Sequence, residues 1–186
     1  MCAYDVELAW LSGMLHDVGR FEQIKRYNTF SDADSVDHAK FGADLLFKDG
    51  LISTFLNGMV KCTGYKPGAL EDRYSSDGVF LYDRLNKSDM EMLELAIRCH
   101  NMYRIPQGLN RREQAFCNVL RDADKVDIFK VNIDTPLEEI YNTTTEELMK
   151  SDITDEVLEA FDEEHCILKA IRRTPADTCL LYTSPS

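Results

Sequence analysis

Apolar residues recur along this chain at helical spacing, and no stretch alternates every second residue in the manner of a strand. Over residues 6–18, Leu8, Leu11, Leu15 and Val18 share one helical face, which Trp10 and Met14 widen. This predicts a largely buried helix with Gly19 as its stop. A loop rich in Asn, Ser and Asp over 28–35 leads into a second predicted helix over about 36–47, with Phe41, Leu45 and Leu46 inward and an end near Asp49-Gly50. Residues 51–60 predict a further short helix. Between 63 and 86 the Gly, Pro and Ser content rises, and 78–82 predicts a short extended piece or a flexible excursion.

The run Ser88-Asp89-Met90-Glu91 reads as a capping-box start, with Met90, Leu93, Ile97 and His100 lining one face of the helix it opens. Within 111–131, Phe116, Val119, Leu120 and Ala123 recur at helical spacing and set Asp122 on the edge of an apolar stripe. Thr135-Pro136 predicts another helix start, and acidic helical pieces follow to about Ile171. The tail from Thr174 breaks the pattern and is expected to lie outside the fold. With no internal repeat, the pattern predicts one all-α domain over 1–173.

Composition narrows the function classes. At 186 residues and 44% hydrophobic, the chain can bury a sizeable core as one folding unit. A net charge of −12, with Lys and Arg scattered among the acids, disfavours nucleic acid as a bulk partner. Phosphate-ester chemistry stays open to an acidic protein, because a metal and a few local cations dominate the field inside a site. The six cysteines show no Cys-x-x-Cys pair, so free thiols in a reducing cytoplasm are expected. No apolar stretch approaches a membrane span, and no leader pattern opens the chain; no membrane partner is expected. Oligomeric state is not legible.

The candidate chemistry begins at His16-Asp17, two hard metal ligands at the end of an apolar helical segment. A carboxylate entering a buried helix end needs a cation or hydrogen-bond donors. His38, His100 and Asp122 supply ligands of the same chemistry, so three of the four histidines fall in the constellation. Mixed His and Asp ligands suit Mn, Fe, Co, Ni or Zn, as one ion or two. Each residue also has a plainer reading: His16 and His100 as core imidazoles, His38 as a first-turn residue, Asp122 as half of a surface pair with Arg121 or Lys125. Arg20 and Lys125 are candidates to hold a substrate phosphate, or are ordinary surface cations. Asp37 and Asp124 adjoin ligands and could orient an imidazole or a water. His165 is expected to be structural or exposed.

Taken together, His16-Asp17, His38, His100 and Asp122 in Asp122-Ala123-Asp124-Lys125 resemble the pattern of the HD-domain metal-dependent phosphohydrolases. The resemblance runs from about residue 7 to 131, and flanking phrases such as Gly19-Arg20-Phe21-Glu22-Gln23 and Ser35-Val36-Asp37-His38 look like those of a bacterial-type branch. It implies an HD-domain helical bundle with His16, Asp17, His38, His100 and Asp122 as metal ligands, and Asp17, Arg20 and Lys125 in catalytic roles. It also implies hydrolysis of a phosphomonoester or phosphodiester of a nucleotide or related small molecule by metal-activated water. A non-catalytic nucleotide-sensing module of the same fold is the alternative. The family's first His has no counterpart between Met1 and Leu15, so the expectation is a domain lacking its first helix through truncation, or else a degenerate relative.

Overall fold

A computed structural model describes residues 2–32, 34–62, 85–136, 143–163, 167, 169–178 and 180. The protein is mostly helical, with no strand among the described residues. No helix among them is long and apolar enough to cross a membrane. The Cα packing divides the chain, where the sequence predicts one domain, into two compact units: 1–101 with 105–120, and 102–104 with 121–186. The expected extended piece at 78–82, the helix opened by Thr135-Pro136 and His165 lie outside the described residues, wholly or past their first positions.

The first unit contains α1 (Ala3–Leu15), α2 (Val18–Tyr27), α3 (His38–Ala43), α4 (Leu51–Cys62) and α5 (Lys87–Cys99). α6 (Arg111–Asp134) starts in this unit and runs on into the second. α3 continues into a π turn over Asp44–Lys48, closed by Asp49 N–H on the Asp44 carbonyl. α3 packs on α2 and α5, and α1 packs on α5. Leu8, Leu11, Leu15, Leu46, Leu93, Ile97, Phe116 and Leu120 form the centre of the core. Each such side chain contributes about 1.5–3 kcal/mol by leaving water.

Three sequence expectations change. The first helix ends at Leu15 instead of continuing through Val18, because Asp17 (φ −99°, ψ 13°) leaves the helical region and α2 restarts behind it. Gly19 is therefore not a stop but lies in the first turn of α2. Trp10 and Met14 do not widen the buried face: they are 55% and 60% exposed, while Leu8, Leu11 and Leu15 are buried. On α6, Phe116 and Leu120 face the core, whereas Val119, Ala123 and Val126 are exposed. Asp122 is exposed with them, so the helix turns a different face inward from the one its apolar spacing suggests.

The capping box of α5 is set two residues earlier than Ser88. Asn86 is the N-cap and accepts from Asp89 N–H at 3.0 Å, and the Asp89 side chain returns to Asn86 N–H. Asp89 is fully buried, and it also accepts from the Tyr4 hydroxyl at 2.6 Å and from Arg112 Nη1 at 2.7 Å. Arg112 Nε reaches on to Asp5 at 3.0 Å, so one carboxylate ties together α1, α5 and α6. Burial pushes the Asp89 pKa up, but Tyr4, Arg112 and the Asn86 N–H outweigh it and hold it below its ordinary 3.8. A lowered folded-state pKa contributes stability that is present above the unfolded value and disappears as pH falls through the folded one. Asp89→Asn is therefore expected to cost about 3 kcal/mol at pH 7, through the partners it leaves unpaired. Urea unfolding should show the gap to wild type closing below pH 3.8.

The second unit contains α7 (Thr145–Lys150), α8 (Asp155–Asp162) and a 3₁₀ turn over Lys169–Ile171. Among the described residues, Leu148, Val157, Ile167 and Ala176 are its buried apolar side chains. Thr144 caps α7 in a capping box with Glu147. The expected loose tail is in part built in. Asp177 is fully buried and accepts from the N–H groups of Thr154, Arg173 and Thr174 at 2.7–2.9 Å, so residues 174–178 belong to the packing of this unit.

Candidate metal centre

The break between α1 and α2 creates the site. His16 is the C-cap of α1 and Asp17 the N-cap of α2, so both side chains leave the backbone at a corner and not along a helix face. His38 is the first residue of α3, held by its N-cap Asp37, which accepts from Lys40 N–H at 3.2 Å. His100 is the C-cap of α5. Four element ends thus deliver four side chains to one place within the first unit.

Their spacing is tight. One atom each of His16, Asp17 and His100 lie within 4.8 Å of one another. His38 joins them through Nε2, which is 3.1 Å from His100 Nε2 and 3.4 Å from Asp17 Oδ1. His100 Nε2 is 3.6 Å from the same Oδ1, and His16 Nε2 is 3.8 Å from Oδ2. His38 and His100 are buried and form the floor; Asp17, with its side chain 45% exposed, and His16 form the open edge.

Hydrogen-bond partners decide what these groups can do. His16 Nδ1 lies 2.7 Å from the Gly13 carbonyl and His100 Nδ1 2.7 Å from the Ile97 carbonyl. A carbonyl only accepts, so each Nδ1 carries a proton, and in the neutral tautomer that this selects Nε2 is the lone-pair nitrogen. His38 Nδ1 lies 2.7 Å from Asp32 Oδ2, and Asp32 is held well below the usual carboxylate range: burial raises its pKa, but His38, Gln23 and Arg20 outweigh it. Asp32 therefore accepts as well, and in the neutral tautomer the third Nε2 also presents a lone pair inward. In that tautomer His38 Nε2 and His100 Nε2 face each other at 3.1 Å and both face the Asp17 carboxylate as acceptors. Asp17 Oδ1 is buried and has no hydrogen-bond partner. Burial alone would raise the Asp17 pKa; when the rings are protonated, a hydrogen bond from His100 and the charges of His16, His38 and Arg20 outweigh it and hold it down to about 2. A convergence of acceptors is unfavourable by itself and suits a divalent cation with N and O ligands.

Behind the ligands stands a network that the sequence did not disclose. Asp32 orients His38, and the fully buried Gln23 donates to Asp32 at 3.0 Å, to Ser35 Oγ at 2.9 Å and to the Val36 carbonyl at 2.9 Å. Asn101 donates to Asp37 at 3.0 Å and to Asp32 at 3.4 Å. The signals available were weak: Asp32 is one of several acids in a polar loop, and Gln23 a single polar position on α2. Arg20, a candidate phosphate ligand, is occupied here. Its Nη1 donates to the Phe30 carbonyl at 2.7 Å, to Asp32 at 3.0 Å and to Gln23 at 3.2 Å, and its Nε lies 3.7 Å from Asp17. Arg20 thus braces Asp32 and the loop. Asp37 caps α3 and pairs with Lys40 at 2.8 Å.

His16, Asp17, His38 and His100 are brought together. Asp122, Asp124 and Lys125 belong to the second unit, where Asp122 is exposed. Comparison with family models, with curated proteins and with solved structures finds no match to this chain.

Proposed function

We propose that this protein is a metal-dependent phosphohydrolase with an HD-type helical domain, acting on a phosphomonoester or phosphodiester of a nucleotide or related small molecule. The observation that carries the reading is the convergence of the Nε2 atoms of His38 and His100 on a buried, unpartnered Asp17 oxygen, with His16 Nε2 beside the other oxygen of the same carboxylate. These four residues would hold the cation, and Asp122 remains a further candidate ligand by the sequence resemblance alone. When bound, a divalent ion supplies Lewis acidity toward a phosphoryl oxygen and toward water.

The chain's own residues supply the rest. Asp32 keeps the His38 proton on Nδ1 and so keeps Nε2 available, while the Gly13 and Ile97 carbonyls do the same for His16 and His100. The buried imidazoles of His38 and His100 close the floor against bulk water. The exposed edge at Asp17 and His16 is the side from which a phosphate ester has access. Arg20 fixes Asp17 relative to Asp32 through its contacts with both.

Elemental analysis of the purified chain, followed by hydrolysis of p-nitrophenyl phosphate and its bis-ester with Mn²⁺ supplied, tests the reading. Metal near one or two ions per chain together with metal-dependent turnover is the expected result. Ligand-induced thermal stabilisation without turnover would favour the nucleotide-sensing alternative, and absence of metal binding would overturn the hydrolase reading.

A further inference from the structure

Helix α2 turns a polar side chain inward. Its buried positions are Gly19 and Gln23, one turn apart, and Gln23 is fully buried. An amide taken out of water is stable only with its partners in place, and here those partners fix its orientation. Nε2 faces Asp32 Oδ1, Ser35 Oγ and the Val36 carbonyl at 2.9–3.0 Å. The Ser35 hydroxyl gives its proton to the Ser31 carbonyl at 2.7 Å, so all three accept from Gln23. On the other side, Oε1 accepts from Arg20 Nη1 at 3.2 Å. A turned amide would set its oxygen against three acceptors and its nitrogen against a cation.

These contacts gather a loop and the carboxylate it carries at one point. Ser35 and Val36 immediately precede the N-cap of α3, and Asp32 is the carboxylate that holds His38 Nδ1 at 2.7 Å. Arg20 and Asn101 also donate to Asp32, at 3.0 and 3.4 Å, but Asn101 is exposed and Arg20 partly so. Gln23 grips Asp32 from the interior, where water does not compete for the bond.

We propose that Gln23 is a positioning residue of the metal centre: from α2 it locks the loop before α3 so that Asp32 holds the His38 ring with Nε2 turned toward Asp17 and His100. This role rests on the metal-dependent reading of the cluster and extends it by one residue that acts through Asp32. Gln23 carries no charge, so it acts by geometry: it places the carboxylate that places the ring.

The test titrates Co²⁺ into the full chain, reading affinity by competition with a chelating dye and coordination by the d–d absorption bands. Gln23→Met, which keeps the length of the side chain and removes its donors, is expected to weaken Co²⁺ binding roughly tenfold, the lower end of what groups behind metal ligands carry, and to change the bands as Asp32→Asn does. In an Asp32→Asn background the same substitution should cost less than about twofold more, because the carboxylate through which it acts is gone. Ser35→Ala, which takes one partner from Gln23 and leaves the carboxylate, should keep affinity within about twofold of wild type. If Gln23→Met does not fold, Gln23→Glu takes its place: it keeps the acceptor for Arg20, sets a carboxylate oxygen against Asp32, and is expected to show the same loss. Unchanged affinity and bands in a folded variant, losses that multiply with that of Asp32→Asn, or an equal loss in Ser35→Ala would mark Gln23 as a packing residue and overturn the role. A wild-type chain that takes up no Co²⁺ would instead overturn the metal reading itself, and this role with it.

Discussion

Asp17→Asn is expected to lower the affinity of the chain for Mn²⁺ or Zn²⁺ by roughly a hundredfold or more, as measured by competition with a chelating dye. Even the groups that stand behind metal ligands typically carry 10–100-fold in affinity, and Asp17 is the carboxylate that lies beside the Nε2 atoms among the described residues, so its loss should exceed that range. Asp32→Asn, which leaves the ligands in place but takes the carboxylate from His38 Nδ1, should fall within about 10–100-fold. A purely structural role for the cluster makes the opposite forecast for stability. Asp17 Oδ1 lies 3.4 Å from His38 Nε2 and 3.6 Å from His100 Nε2, with no proton between them when the rings are neutral. An amide at this position brings donors to those lone pairs. With the three rings neutral, the metal-free variant is therefore expected to match or exceed the stability of the metal-free wild type, by up to about 1 kcal/mol, while the thermal shift that metal gives the wild type disappears. A variant that loses stability in EDTA as much as it loses metal would mark Asp17 as a packing residue.

How far the sequence led depends on what kind of signal each residue left. His16-Asp17 was legible because a carboxylate after an apolar run is a local anomaly that needs no partner to be noticed. His38 and His100 could be named as candidates by their ligand chemistry and the resemblance they complete, and the buried face of Leu8, Leu11 and Leu15 by its helical spacing. The outward side of α1 was not legible: Val6, Trp10 and Met14 lie on the face opposite the core, so the helix is apolar on both sides and its spacing alone cannot say which side is covered. The same ambiguity on α6 placed Val119 and Ala123 inward when Phe116 and Leu120 are the residues that pack. Asp32 and Gln23 left no periodic trace, since their roles arise only when the loop over 28–35 folds back onto α2. The helix break at Asp17 was hidden because Val18 continues the apolar face of α1, although a chain that turns there is what lets His16 and Asp17 point together.

Gly19→Ala is expected to destabilise the first unit by about 3 kcal/mol or more and to loosen the metal site with it. Helix α2 carries glycine where α3 comes closest: a Cβ added at Gly19 would stand 2.2 Å from the His38 carbonyl oxygen and 2.7 Å from Gly42 N. Both are backbone atoms at the start and middle of a short helix, and neither can rotate away as a side-chain tip can. The reciprocal position is nearly as tight, with a Cβ at Gly42 falling 3.0 Å from Gly19 N. The methyl group must therefore push α3 bodily away from α2, and overpacking of this kind typically costs 1–3 kcal/mol before any loss of partner contacts. Because the atom struck belongs to His38, the displacement acts on a candidate ligand: His38 Nε2 would leave its place beside Asp17 Oδ1 and His100 Nε2, and Gln23 and Asp32 would lose their grip on the same segment. Gly13→Ala provides the control. Gly13 lies within α1, a Cβ there meets nothing within 4 Å, and its carbonyl would still accept from His16 Nδ1. That substitution should stabilise the chain by about 0.5–1 kcal/mol through helix propensity alone and leave metal affinity unchanged. Urea unfolding and metal titration of the two variants side by side separate the close approach of α2 and α3 from any general effect of adding a methyl group. Equal behaviour of the two would show that the crossing at Gly19 does not position His38.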